Sequence, residues 1–207
     1  MLNPRIIPCL LISQGGLVKT KKFKERKYVG DPINAVKIFN EKKVDELILL
    51  DIDASRNNAK PNFDLVSKIA SECRMPLCYG GGINSIEDAE KLIKLGVEKI
   101  AISSGFINGT LEIAEIVKRL GSQSVVCVLD LKKRFHNKKY IICTNNGEKH
   151  SSLNLNEIIN YAQEIGFGEI VINSIDNDGM MKGYDMNLVD QIFELSNIPI
   201  TILGGAG

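Results

Sequence analysis

Three carboxylates stand at the ends of short apolar runs, where acid–base chemistry has room to happen. Asp51 closes LILLD, Asp130 closes VVCVLD and Asp176 follows EIVINSI. A carboxylate at a strand end, aimed into the mouth of a fold, can take or give a proton in a reaction. Each can equally cap a helix or pair with a loop lysine. Asp53 and Asp178, two residues further on, read more simply as loop-organising groups. Two glycine turns accompany these acids: PLCYGGGINS at 76–85 and PITILGGAG at 199–207. Glycine lets backbone amides approach an anion without side-chain obstruction, and a helix start behind the turn adds partial positive charge. One such turn is weak evidence. Two of the same form suit a ligand with a phosphate at each end.

The elements that must position these groups alternate. Apolar runs at 5–11, 46–52, 76–80, 99–103, 124–130, 169–175 and 199–203 read as seven strands. Between them lie helix-period stretches with start signals at Asp31–Pro32, Ser85 with Asp88, Thr110, Asn154 with Glu157, and Asp185. Gly96, Gly121 and Gly166 supply stops. Strands apolar on both faces, alternating with helices, make a parallel α/β sheet. Residues 138–150, with Asn145, Asn146 and Gly147 at the centre, read as an inserted hairpin.

The glycines decide between an open sheet and a closed barrel. An open dinucleotide-binding sheet places its phosphate turn after the first strand, whereas here the stretch ISQGGLVKTKKF follows it. The halves of the chain instead repeat: Asp51 and Asp176 are 125 residues apart, Pro76 and Pro199 are 123 apart. A four-unit half used twice predicts a (β/α)8 barrel of the half-barrel duplication type. One barrel domain is expected over 1–207, with half-barrels at about 1–121 and 122–207. Typical unit lengths put the end of the chain about 45 residues short of closure, after the seventh strand.

Composition narrows the functional classes. The 207 residues are 44% hydrophobic and 25% charged, with a net charge of +1. That balance predicts one globular domain with no nucleic-acid or membrane partner. KTKKFKERK at 19–27 reads as a solvated basic loop or an anion clamp. Five cysteines, several inside apolar runs, predict reduced thiols in a cytoplasmic protein. No cysteine and histidine spacing suggests zinc, His136 and His150 fall in polar turns, and no metal or cofactor is expected.

RIIPCL, DELILLDIDAS, MPLCYGGGI, GSQSVVCVLD, DNDGMMKGYD and IPITILGGAG, spread along the chain, resemble the cyclase subunit of imidazole glycerol phosphate synthase. The resemblance implies an enzyme of histidine biosynthesis. It would take ammonia from a glutaminase subunit docked at the N-terminal barrel face and convert a bisphosphate nucleotide into imidazole glycerol phosphate and an aminoimidazole ribonucleotide. It implies Asp130 as catalytic acid or base, Lys19 as a substrate clamp, and Asp51 and Asp176 as supports. One phosphate would lie on Gly81, Gly82, Ser103 and Ser104, the other on Gly179, Gly204 and Gly205. Arg5, Glu46, Lys99 and Glu169, at strand starts, would form a charged gate over an ammonia conduit. The family's second catalytic aspartate falls at Leu11, its asparagine of the fourth turn at Ser103, and a threonine beside the second phosphate at Met180. Leucine cannot move a proton. A subgroup with this opening resembles barrels of surface-sugar biosynthesis, whose ammonia would serve a sugar amidotransferase; a phosphosugar-binding barrel without turnover is the third reading.

Overall fold

The computed structural model describes residues 4–134 and 139–206, so His136 lies outside the described residues. The strand and helix order is that of the (β/α)8 class, carried through seven parallel strands in two compact units. The first unit comprises the described residues up to Lys19 together with Lys27–Ala101; the second comprises Thr20–Arg26 with the described residues from Ile102 on.

In chain order come β1 (Cys9–Ser13), β2 (Gly16–Lys21), β3 (Lys24–Gly30), α1 (Pro32–Lys42), β4 (Leu47–Asp51), α2 (Phe63–Glu72), β5 (Leu77–Gly80), α3 (Ile86–Lys94) and β6 (Lys99–Ile102), all of the first unit except the end of β2 from Thr20, the start of β3 to Arg26, and Ile102. The parallel strands β1, β4, β5 and β6 lie side by side. Leu47, Leu49, Leu77 and Ile100 are 1% exposed or less, and Val66 and Ile69 of α2 are buried with them. Asp31 and Ser85 cap α1 and α3 as expected.

The stretch after β1 differs from the expected basic loop. Gln14 and Gly15 turn β1 back into antiparallel β2, and Lys22 and Phe23 turn β2 into β3. All four turn residues have positive φ, which suits two-residue hairpins. Lysine and phenylalanine are poor predictors of such a turn. The alternating basic side chains of β3 are almost entirely exposed, so burial left no apolar pattern to read.

The second unit contains α4 (Ser104–Ile107), α5 (Ile113–Leu120), β7 (Val125–Lys133), β8 (Tyr140–Thr144), β9 (Lys149–His150), α6 (Leu155–Ile165), β10 (Glu169–Ser174), α7 (Met186–Phe193) and β11 (Ile200–Leu203). Strands β7, β10 and β11 are parallel neighbours, and β8 folds back antiparallel on β7. The expected hairpin turn is present, with Asn145, Asn146 and Gly147 all at positive φ. The cap of α5 is Glu112, which makes no side-chain cap hydrogen bond, rather than Thr110. Thr110 instead closes the turn after α4, where its amide donates to the Gly105 carbonyl.

The β7–β10 register sorts side chains by face. Val126, Val128 and Asp130 align with Glu169, Val171 and Asn173 on one face; Cys127 and Leu129 align with Ile170 and Ile172 on the other. Cys127, Leu129 and Ile170 are fully buried. Phe106 stacks on Tyr161 at 5.3 Å between ring centroids and meets Phe167 edge-on at 4.9 Å, tying α4 to α6 and its exit.

Helix α6 carries the most complete local signal in the chain. Asn154 accepts from the Glu157 amide at 3.0 Å, Glu157 accepts from the Asn154 amide at 2.8 Å, and Gly166 ends the helix in the left-handed region. Loss of the cap acceptor leaves a helix-start amide unpaired. Asn154→Ala is expected to lower unfolding stability by about 1 kcal/mol in urea titrations, with no change in m-value.

Candidate active site

In the first unit the residues expected to do chemistry gather at the C-terminal ends of β4 and β5. Asp51 is half-buried, and its Oδ1 accepts from the amides of Asp53 and Ala54, both at 3.0 Å. Burial raises its carboxyl above the usual range, those two hydrogen bonds oppose the rise, and the nearby Asp53 charge adds to it. Asp53 in turn accepts from Ser13 Oγ at 2.6 Å. Both acids therefore shape the loop after β4.

The glycine turn is packed against this loop. A Cβ on Gly81 would collide with the Asp51 carbonyl, and one on Gly82 would lie 2.6 Å from the Ala59 carbonyl oxygen. The Gly82 amide donates to Ser55 Oγ at 3.1 Å. Lys19 is exposed on β2, and Leu11 aligns with Leu50 across the β1–β4 ladder.

Three of the strand-start charges also meet within this unit. The buried Glu46 Oε2 accepts from Arg5 Nη1 at 2.9 Å and from Lys99 Nζ at 2.8 Å. Two cations on one carboxylate oxygen offset the cost of burying it. The fourth, Glu169, belongs to the second unit, where it is buried and accepts a hydrogen bond from Thr201 Oγ1.

The second unit holds Asp130. Its carboxyl Oδ1 accepts from Asn173 Nδ2 at 3.1 Å. Removal from water is the main influence on this carboxyl; the Asn173 hydrogen bond partly opposes it and the Asp178 charge reinforces it, leaving the group pushed up to about 7. The antiparallel β7–β8 register sets Cys143 on the other flank of Asp130. That thiol is fully buried and raised to about 11, chiefly by burial and then by the Asp130 charge. A carboxyl that titrates near neutrality can give and take a proton under one set of conditions.

The remaining acids organise loops. Asp176 Oδ2 accepts from the Lys133 amide at 2.8 Å. Asp178 Oδ2 accepts from Thr20 Oγ1 at 2.7 Å and from the Phe23 amide at 3.0 Å, while its carbonyl accepts from the Lys22 amide. Gly179 lies so close to the Thr20 carbonyl that a Cβ would collide with it. Gly204 approaches the Ser174 carbonyl and Gly205 the Gly183 carbonyl in the same manner. Ser103 caps the four-residue helix α4 with a buried Oγ that has no partner among the described residues, and Ser104 begins that helix.

Asn173, Cys143 and the Thr20–Asp178 pair were absent from the sequence expectations. For Asn173 a signal existed: a carboxamide inside a β-branched run, 6% exposed in the structure, needs a hydrogen-bond partner. For Cys143 and Thr20 the placement depends on hairpin registers that composition does not reveal.

Comparison with known proteins shows the family. The family model described as histidine biosynthesis protein matches residues 5–207. A Vibrio vulnificus protein provisionally named imidazole glycerol phosphate synthase subunit hisF3 is 54% identical over all 207 residues, which cover 80% of its length. Imidazole glycerol phosphate synthase subunit HisF of Petrotoga mobilis is 37% identical over the whole chain and 82% of its own length, and that of Streptococcus mutans 35% over the same shares. None of the five cysteines is in a disulfide among the described residues, and no helix of those residues is long and apolar enough to cross a membrane. With seven parallel strands in the expected order and identity above one third along its whole length, the chain belongs to the histidine-biosynthesis protein family, among the imidazole glycerol phosphate synthase subunits.

Proposed function

We propose that this protein is a cyclase subunit that uses ammonia from a glutaminase partner to open and cyclise a bisphosphate nucleotide, with Asp130 as its acid–base group. The products are imidazole glycerol phosphate and an aminoimidazole ribonucleotide, made in the cytoplasm by one barrel domain. The observation that carries the reading is a carboxyl within β7 that burial pushes up to about 7 and to which Asn173 donates a hydrogen bond. Such a group can protonate a leaving nitrogen and then recover the proton from an attacking one.

The other roles follow the family pattern. Gly81, Gly82, Ser103 and Ser104 receive one phosphate, and the Gly82 amide exchanges Ser55 Oγ for a phosphate oxygen. Gly179, Gly204 and Gly205 receive the other. Lys19, exposed on β2, supplies a positive charge, while Asp51 and Asp176 hold the loops that carry these groups. The Arg5–Glu46–Lys99 cluster and Glu169 gate the entry of ammonia. A glutaminase subunit docks at the strand-start end.

Two substitutions test the chemistry. Asp130→Asn is expected to lower ammonium-driven turnover of the bisphosphate nucleotide by about 10² to 10⁴. Leu11→Asp is expected to raise it, with a pH optimum displaced upward because a carboxyl placed beside Leu50 resists ionisation. Unchanged turnover in Asp130→Asn would remove Asp130 from the mechanism. If no variant turns over the nucleotide while glutamine hydrolysis remains coupled to the barrel, the ammonia serves another acceptor, such as a sugar amidotransferase.

Lys99→Ala separates delivery from chemistry. Arg5 still neutralises Glu46 in that variant, so the fold should persist. Turnover driven by glutamine and partner should fall while turnover driven by ammonium salts holds. Equal losses in both assays would deny the cluster a gating role.

The Asp130 carboxyl also predicts a pH-dependent stability. Unfolded, it releases its proton near pH 4; folded, it keeps the proton to about 7. The stabilisation this provides is complete below pH 4 and is lost as the pH rises to 7. Asp130→Asn has no charge to bury, so at pH 8 it should unfold about 1–3 kcal/mol less readily than the parent, with the difference vanishing near pH 4. Thermal unfolding at the two pH values checks this.

A further inference from the structure

Asn173 makes one use of its side chain and leaves the other half idle. Nδ2 donates to Asp130, while Oδ1, buried, has no hydrogen-bond partner among the described residues. The residue is 6% exposed, so water does not stand in for a partner at little cost. An unpaired acceptor of this kind costs about 1–3 kcal/mol and calls for an explanation. Gly204 lies against this oxygen, and a Cβ there would sit 3.3 Å from it. The amide thus has a carboxyl at one end and a glycine turn at the other.

The chemistry of an acid–base carboxyl supplies the explanation. Ionised Asp130 only accepts hydrogen bonds, and needs the NH2 end of Asn173 as donor. Protonated Asp130 gains an O–H that donates, and the carbonyl end of Asn173 is the acceptor within its reach. A carboxamide offers both ends from one side chain and exchanges them by a half-turn about its last torsion, which is broad and roughly two-fold. The backbone need not move. We propose that Asn173 is the positioning residue of Asp130, its amide turning end for end as that carboxyl gains or loses its proton, so that both forms are held in one orientation. The inference rests on the reading of Asp130 as the acid–base group.

The local charges set the conditions for the turn. Besides Asn173 on β10, Asp130 faces Cys143 on β8 and the Asp178 charge from the loop after β10. Asp176 and Lys132 act on Cys143 with opposite sign. Leu203 continues the row on β11 and carries no charge. The idle oxygen stays acceptor-like while Asp130 is ionised. Once Asp130 is protonated, the same position presents an N–H toward the Gly204 turn, a donor suited to an anionic oxygen. Substrate anion bound there would then favour the protonated carboxyl.

The test follows the two side chains directly by NMR in the full chain, independently of turnover. Asp130 carboxyl carbon and Asn173 side-chain amide resonances are recorded across pH 4–10. The expected result is a shared midpoint. Asn173→Leu should move the Asp130 midpoint upward by about one unit, since of the two hydrogen bonds it removes the one to the ionised form is charge-assisted and the stronger. Asn173→Thr, whose hydroxyl both donates and accepts, should bring it back toward the parent value. Amide resonances that stay fixed while Asp130 titrates would overturn the inference, as would an identical Asp130 midpoint in the parent and in Asn173→Leu. If the resonances titrate together and the nucleotide is not turned over, the positioning role stands and the cyclase reading falls.

Discussion

The parallel ladder between β7 and β10 is the constraint from which the chemistry of the second unit descends. Six paired positions, from Glu169 beside Val126 to Ser174 beside Leu131, lock the two strands in one register. A slip of one residue would exchange the faces, separating Asp130 from Asn173 and bringing an aliphatic side chain to the place of Asn173. Both faces are buried, Cys127, Leu129, Ile170 and Ile172 on one and Val126, Val128 and Val171 on the other, and the ladder itself sets Asp130 beside Asn173.

Glycine does a second structural task in each unit. At Gly81, Gly179, Gly204 and Gly205 the neighbour that forbids a side chain is a backbone carbonyl, which cannot rotate away. All four have positive φ, so a substitution meets both strain and collision. These turns are therefore fixed in shape before any ligand arrives. In the proposed reaction that rigidity limits the entropy lost on binding phosphate. Gly179 extends this to the turn between β2 and β3: it lies close to the Thr20 carbonyl, and its neighbour Asp178 holds both Thr20 and Phe23.

Much of this was legible in the sequence because burial writes a periodic pattern. The seven parallel strands, the caps at Asp31, Ser85, Asn154 and Asp185, and the stop at Gly166 all occur where apolar runs and polar caps placed them. Strand β3 was missed because its side chains are solvated and carry no pattern, and because Lys22 and Phe23 adopt a turn that other residues favour. Helix α4 is too short for a period to register. At the site, Asp130 was visible as a carboxylate ending an apolar run. Its partner was not, since Asn173 sits 43 positions away and only the ladder brings them together.

The contrast between the two units bears on how a single carboxyl can serve. Register pairs Leu11 with Leu50 in the first unit and Asp130 with Asn173 in the second, so the corresponding row is apolar in one and hydrogen-bonded in the other. Two carboxylates can divide acid and base duties between them. One must perform both in succession, and it does so best where neither form is strongly preferred at the working pH. Burial alone would leave Asp130 protonated and a poor base; full hydration would leave it ionised and a poor acid. The Asn173 amide opposes burial while the Asp178 charge assists it, and the balance falls near neutrality. In the proposed mechanism Leu11, which offers no second acid, is thus matched by a carboxyl whose surroundings suit either role.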